Sequence, residues 1–144
     1  MEQSMDSVGE IPRQEDFDAI WQATLDYVDG WYHGDAERMR RCLHPDLVKR
    51  TIERDVESEE LQLRRPTTAD MLVTFTEEGG GTEVPEPERI YQLTIVDIFR
   101  HIAMVNCVSP HFVDYLQLAN FGDRGWLIVN VLWELREGEI ASEA

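Results

Sequence analysis

The last third of the chain constrains its fold most. Residues 89–98, 102–109, 111–119 and 126–135 are four runs rich in Val, Ile, Leu and aromatic side chains. Turn-length gaps separate them. FGDRG at 121–125 reads as a hairpin connection, Ser109-Pro110 as a second turn and residues 99–101 as a third. Strands joined this tightly pair antiparallel, because a parallel neighbour needs a crossover of a dozen or more residues. Both faces of these strands are largely apolar. In the third run Phe112, Leu116 and Leu118 share a face with Asp114, while Val113, Tyr115, Gln117 and Ala119 make the other. In the fourth, Trp126, Ile128, Asn130 and Leu132 alternate with Leu127, Val129, Val131, Trp133 and Leu135. A sheet with one wet face alternates apolar with polar. One face is therefore expected to pack on helices and any cavity. The other is expected to pack on a second copy, as a homodimer through the sheet.

The first half supplies the helices. Phe17, Ile20, Trp21, Thr24, Leu25, Tyr27, Val28, Trp31 and Tyr32 fall on one arc at 3.6-residue periodicity, with Asp18, Gln22, Asp26 and Asp29 opposite. This helix is expected to stop at Gly34. Asp35 caps a short second helix with Ala36, Met39 and Leu43 inward, ended by His44-Pro45. Residues 46–53 suit a short strand, and the acid-rich stretch 53–65 an exposed excursion. Thr67-Thr68-Ala69-Asp70 has capping-box form, opening a third helix over 68–78 that carries Met71, Leu72 and Phe75. Helices first and sheet last is an α+β pattern. Residues 1–13 read as a flexible lead-in, 14–136 as one domain and 137–144 as a flexible tail.

Charge excludes several functions. The 144 residues carry a formal net charge of −16, against the basic footprint that nucleic acid or an anionic membrane requires. The opening MEQSMDSVGEIPRQED has neither the basic nor the apolar region of a signal peptide, and no apolar run approaches the roughly 20 residues of a membrane span. A cytoplasmic location is expected. Cys42 and Cys107 are too few for a disulfide framework. His101, His111, Asp97 and Asp114 have no metal-ligand spacing, and no cofactor motif is present, so neither metal nor cofactor is expected. Twelve of the thirteen basic residues are Arg; the exception is Lys49.

DYVDGWYHGDAERM (26–39), HPDLVKR (44–50), FVDYLQL (112–118) and GWLIVNVLW (125–133) together resemble the nuclear transport factor 2-like superfamily. Within it they are most similar to the Putative lumazine-binding, SnoaL-like group. The resemblance spans residues 14–135 and implies a cone of curved, mainly antiparallel sheet wrapped by about three N-terminal helices. Its activities are diverse: isomerases, cyclases, dehydratases, subunits and binding modules. Ketosteroid isomerases share the fold and use a Tyr, a protonated Asp and a carboxylate base. Anchored on Gly34-Asp35, Tyr27 falls at the Tyr position and Thr51 at the base; anchored on 121–125, Gln117 falls at the Asp. Neither Thr51 nor Gln117 can do the acid–base work of the residue it replaces.

These considerations give a set of candidates. Tyr27 either points its phenol into a cavity or is a core Tyr satisfied by backbone. Trp31 is a candidate aromatic wall. His44 is a candidate base or a cap, and Arg50 a candidate cation at the cavity mouth or a surface ion pair. Asp114 is a candidate catalytic acid or a structural ion pair. Tyr115, Gln117 and Asn130 are candidate liners. Three functions compete: a small-molecule-binding domain with a mostly apolar pocket, a cofactor-free lyase, isomerase or cyclase, and a structural dimer module. An open cavity with converging polar groups favours the first two; a cone filled by Trp21, Trp31, Trp126 and Trp133 favours the third.

Overall fold

The computed structural model describes residues 12–136; the lead-in before residue 12 and the tail 137–144 lie outside them. Helix α1 (Gln14–His33) is followed by α2 (Ala36–Cys42), strands β1 (Leu43–Arg54) and β2 (Leu61–Thr68), and α3 (Ala69–Glu77). Strands β3 (Gln92–Phe99), β4 (Ile102–Val108), β5 (Phe112–Asn120) and β6 (Trp126–Leu135) complete the fold. The six strands form one sheet in the order β2-β1-β6-β5-β4-β3, antiparallel except where β1 runs parallel to β6. The domain is an α+β cone. The four expected strands form the expected meander, and none of the described helices is long and apolar enough to cross a membrane.

Local sequence explains the helix ends. Gly34 takes φ 64° and closes α1, with its N–H donating to backbone carbonyls of the last turn. The Asp35 carboxylate accepts from the Arg38 N–H and opens α2, whose Met39 is fully buried. The cap of α3 is Thr68, one residue later than the sequence pattern suggests: its hydroxyl accepts from the Met71 N–H, while Thr67 donates to the Arg65 carbonyl.

The stretch 53–65 is a correction. It forms a hairpin, not an excursion, and β2 pairs with β1 from Leu61 to Thr68. Asp55 ties the turn by accepting from the N–H groups of Glu57 and Ser58 and from Arg64. As an edge strand, β2 tolerates Pro66 and exposed Leu61 and Leu63, which disguises it.

The sheet curls because its register shifts at Ile95/Asp97, Lys49/Thr51 and Gln117/Leu118. Its concave side holds Val105, Leu116, Leu118, Ile128 and Val131, packed on Ile20, Ala23 and Val28 of α1 and on Leu72 and Val73 of α3. Asp26 departs from the expected solvent face of α1: it is buried, because α2 folds over it and brings Arg38 and Arg41 onto its carboxylate.

Candidate functional site

Between the concave face, α1 and α3 lies a cavity of about 430 Å³, within the range of small-molecule sites. Its walls are mostly apolar: Trp31 and Tyr32 from α1, Met71 and Phe75 from α3, Phe112 and Trp133 from the sheet. Half-exposed Met71 and Phe75, with Arg65 and Pro66 of β2, mark the mouth. Trp31 is held from behind by the loop after α3. The Gly81 N–H donates to the Trp31 carbonyl at 2.8 Å, and a Cβ on Gly81 would come within 2.8 Å of the indole ring. Only glycine lets the loop close this tightly on the wall.

Three polar groups from three elements converge in this apolar space. Tyr27 of α1 donates its hydroxyl proton to Asp114 Oδ2 of β5 at 2.8 Å. Lys49 of β1 donates from Nζ to the Tyr27 oxygen at 2.6 Å. Lys49 Nζ and Asp114 Oδ2 stand 3.9 Å apart, so the tyrosine bridges most of the contact between the charges. Lys49 Nζ also lies 5.1–6.0 Å from the ring centroids of Tyr27, Trp31 and Trp133, cation–π distances. Burial pulls the lysine pKa down, more than the Asp114 charge restores it. Burial and the adjacent carboxylate push Tyr27 well above 10, so the phenol keeps its proton. Burial, then Asp114, push the neighbouring Cys107 thiol up to about 12, which leaves it an unreactive part of the wall.

Of the candidates, Tyr27, Trp31 and Asp114 come together at the cavity; the others do not. His44 accepts the Asp46 N–H on Nδ1 and stacks on Phe121 at 4.7 Å, away from the cavity. Arg50 is exposed on the convex face beside Leu132, one residue out of phase with Lys49, and the cation at the mouth is Arg65. Tyr115, Gln117 and Asn130 also lie on the convex face, where Asn130 donates to Gln117 at 3.1 Å. The bulge at Gln117/Leu118 turns Ile128 inward and Asn130 outward, which strict alternation in β6 does not foresee. Tyr27 lines the cavity, and its hydroxyl donates to the Asp114 carboxylate and not to backbone. Lys49, Trp133 and Phe112 were not among the candidates. The available signal for Lys49 was composition, as the one Lys in an Arg-rich chain, set in a strand in phase with Leu47 and Thr51. Among the described residues no group of three His, Cys, Asp or Glu is placed to hold a metal ion.

The family model described as Putative lumazine-binding matches residues 15–134. The chain belongs to this family. Its fold is that of the nuclear transport factor 2-like superfamily. A nuclear transport factor 2-like protein of unknown function from Silicibacter pomeroyi is 17% identical with a TM-score of 0.63, over 88% of this chain and 100% of that one. One from Shewanella baltica is 16% identical with a TM-score of 0.61, over 88% and 98%. A ketosteroid isomerase-like protein from Erwinia carotovora atroseptica is 10% identical with a TM-score of 0.58, over 87% and 99%. Identities this low carry the fold alone. A comparison with curated proteins gives no match. Membership in the Putative lumazine-binding family thus agrees with the sequence resemblance.

Proposed function

We propose that this domain binds a small, mostly apolar molecule in the cone and seats its carbonyl oxygen against Lys49. The supporting observation is the Lys49–Tyr27–Asp114 chain inside an otherwise apolar cavity of about 430 Å³. A buried polar network adds little or no net stability over apolar packing of the same volume, so its presence beside an open cavity points to use. Tyr27 has spent its proton on Asp114, and the remaining N–H bonds of Lys49 are the donors left for an incoming oxygen. Lumazine, the molecule in the family's description, is a planar bicyclic ring bearing carbonyls, and the indoles of Trp31 and Trp133 offer it flat faces. The two tryptophans line an open space instead of filling it, which disfavours a purely structural module.

Titration followed by tryptophan fluorescence tests this. Lumazine and 2-acetonaphthone are expected to bind, and Lys49→Met to weaken both by about 1.5–3 kcal/mol, the value of a hydrogen bond from a charged donor. Naphthalene, lacking the oxygen, is expected to bind the variant and the parent alike. No binding of either carbonyl compound, or binding indifferent to Lys49→Met, would overturn the proposal.

The contact of Asp114 with Tyr27 favours a second reading, a cofactor-free isomerase, lyase or cyclase in which the bound carbonyl acidifies a neighbouring C–H bond and this chain of groups moves the proton. On that reading the domain exchanges the α-deuterons of a bound ketone, and Asp114→Asn abolishes the exchange.

The convex face carries Ile102, Met104, Tyr115 and Leu132, all 41–58% exposed. A second copy of this chain is proposed to cover it. Light scattering in ordinary salt is expected to give about twice the 16.7 kDa chain mass, and a single chain mass would refute the dimer.

A further inference from the structure

We propose that Lys49 holds its ligand covalently, as an imine, and that the ligand class is therefore an aldehyde or reactive ketone. The inference rests on the carbonyl-binding reading above and goes beyond it in chemistry. It starts from a choice of residue. Wherever the described surface of this chain forms an ion pair through a basic side chain other than His, it uses Arg; the chain's one Lys stands inside the cavity. As a pure counter-ion for Asp114, Arg would serve as well or better, because its fork bonds a carboxylate bidentately. Only Lys has a primary amine that loses its proton and attacks carbon.

The geometry suits that attack. Lys49 Nζ has one close partner, the Tyr27 oxygen at 2.6 Å, and the Asp114 carboxylate stands back at 3.9 Å. The amine is positioned by the tyrosine without being clamped by the carboxylate. Tyr27, Trp31 and Trp133 surround it with ring faces within 6.0 Å, which limits water around the amine and around an imine formed on it. Burial among these rings lowers the lysine pKa and so eases loss of the proton that the attack requires.

The step balances without any further reactant. The nitrogen lone pair forms a bond to the carbonyl carbon while the C=O π pair moves to oxygen. That oxygen takes a proton released by the nitrogen, through the Tyr27 hydroxyl and Asp114. The hydroxyl then leaves as water with the second nitrogen proton, and the C=N bond forms. One carbonyl and one amine become one imine and one water, with nothing oxidised or reduced.

The experiment treats the full chain with 2-naphthaldehyde at neutral pH, reduces with sodium borohydride at timed intervals and locates the adduct by peptide mass mapping. The terminal α-amino group is an internal standard, because a free α-amine titrates near 8, about two units below a free lysine. Lys49 is expected to be labelled at least tenfold faster than that amine. Lys49→Arg is expected to lose the adduct at position 49 while labelling of the terminus and the circular dichroism spectrum stay unchanged. Labelling of the terminus alone, or of Lys49 no faster than the terminus, overturns the imine. If 2-acetonaphthone or lumazine still binds in the parent chain when Lys49 is unlabelled, covalent capture fails and the carbonyl-binding reading stands. If neither binding nor labelling occurs, both fall.

Discussion

Asp114→Leu is expected to destabilise the domain by about 3 kcal/mol, read from urea unfolding. The substitution removes the carboxylate that stands beside Lys49 among the described residues and leaves a cation in an apolar wall. Removing one partner of a buried pair costs about 3–5 kcal/mol in general. The lower end applies because the Lys49 side chain keeps 19% of its surface and reaches some water through the cavity. The diagnostic comparison is with Lys49→Met/Asp114→Leu, which removes both charges. It is expected to regain most of the loss, leaving only the unpartnered Tyr27 hydroxyl at about 1–3 kcal/mol. Adding Tyr27→Phe removes that hydroxyl, and the triple variant should match the parent to within about 1 kcal/mol. Such a pattern would mean that the three groups contribute nothing net to folding, and so are not there as a structural staple. An Asp114→Leu variant as stable as the parent would show instead that Lys49 is not held by Asp114.

Legibility in the sequence followed the physics of each element. Helix α1 was readable because its period and its Gly34 stop are local signals. The β3–β6 meander was readable because long apolar runs with tight turns leave one pairing scheme. Strand β2 was not, because an edge strand needs no continuous apolar face and accepts Arg64, Arg65 and Pro66. The site divided along the same line. Tyr27 and Trp31 lie on the apolar arc of α1 and so face inward with the helix. Choosing between Asp114 and Gln117 required knowing which face of β5 is concave. Composition could not decide this, because both faces are largely apolar. The structure puts Asp114 inward and Gln117 outward. Lys49 was passed over because a single Lys in an acidic chain reads as composition; only its convergence with residues from α1 and β5 makes it chemistry.

Asp26→Ala is expected to cost about 2–4 kcal/mol, from a residue that helical periodicity assigns to solvent. Its side chain is 5% exposed and accepts from Arg38 Nε at 3.0 Å, from Arg41 Nε and Nη2 at 2.9 Å and from Gln22 at 3.1 Å. These bonds fasten α2 across α1, and α1 carries Tyr27 and Trp31 into the cavity. The cost stays below that of a sealed triad because Arg41 and Arg38 are partly solvated and keep water when the carboxylate is gone. Burial works against the Asp26 charge, but the hydrogen bonds from Arg41, Arg38 and Gln22 outweigh it and hold the carboxyl below its ordinary 3.8. A lowered pKa means that the unfolded chain binds the proton more readily than the folded one. The contribution is therefore complete above about pH 4 and disappears as pH falls through the folded value. Stability measured from pH 7 down to pH 2 is expected to separate the parent from Asp26→Asn by a constant gap at neutral pH that closes below pH 4. A gap that persists at pH 2 would mean that packing around residue 26, and not its charge, joins the two helices.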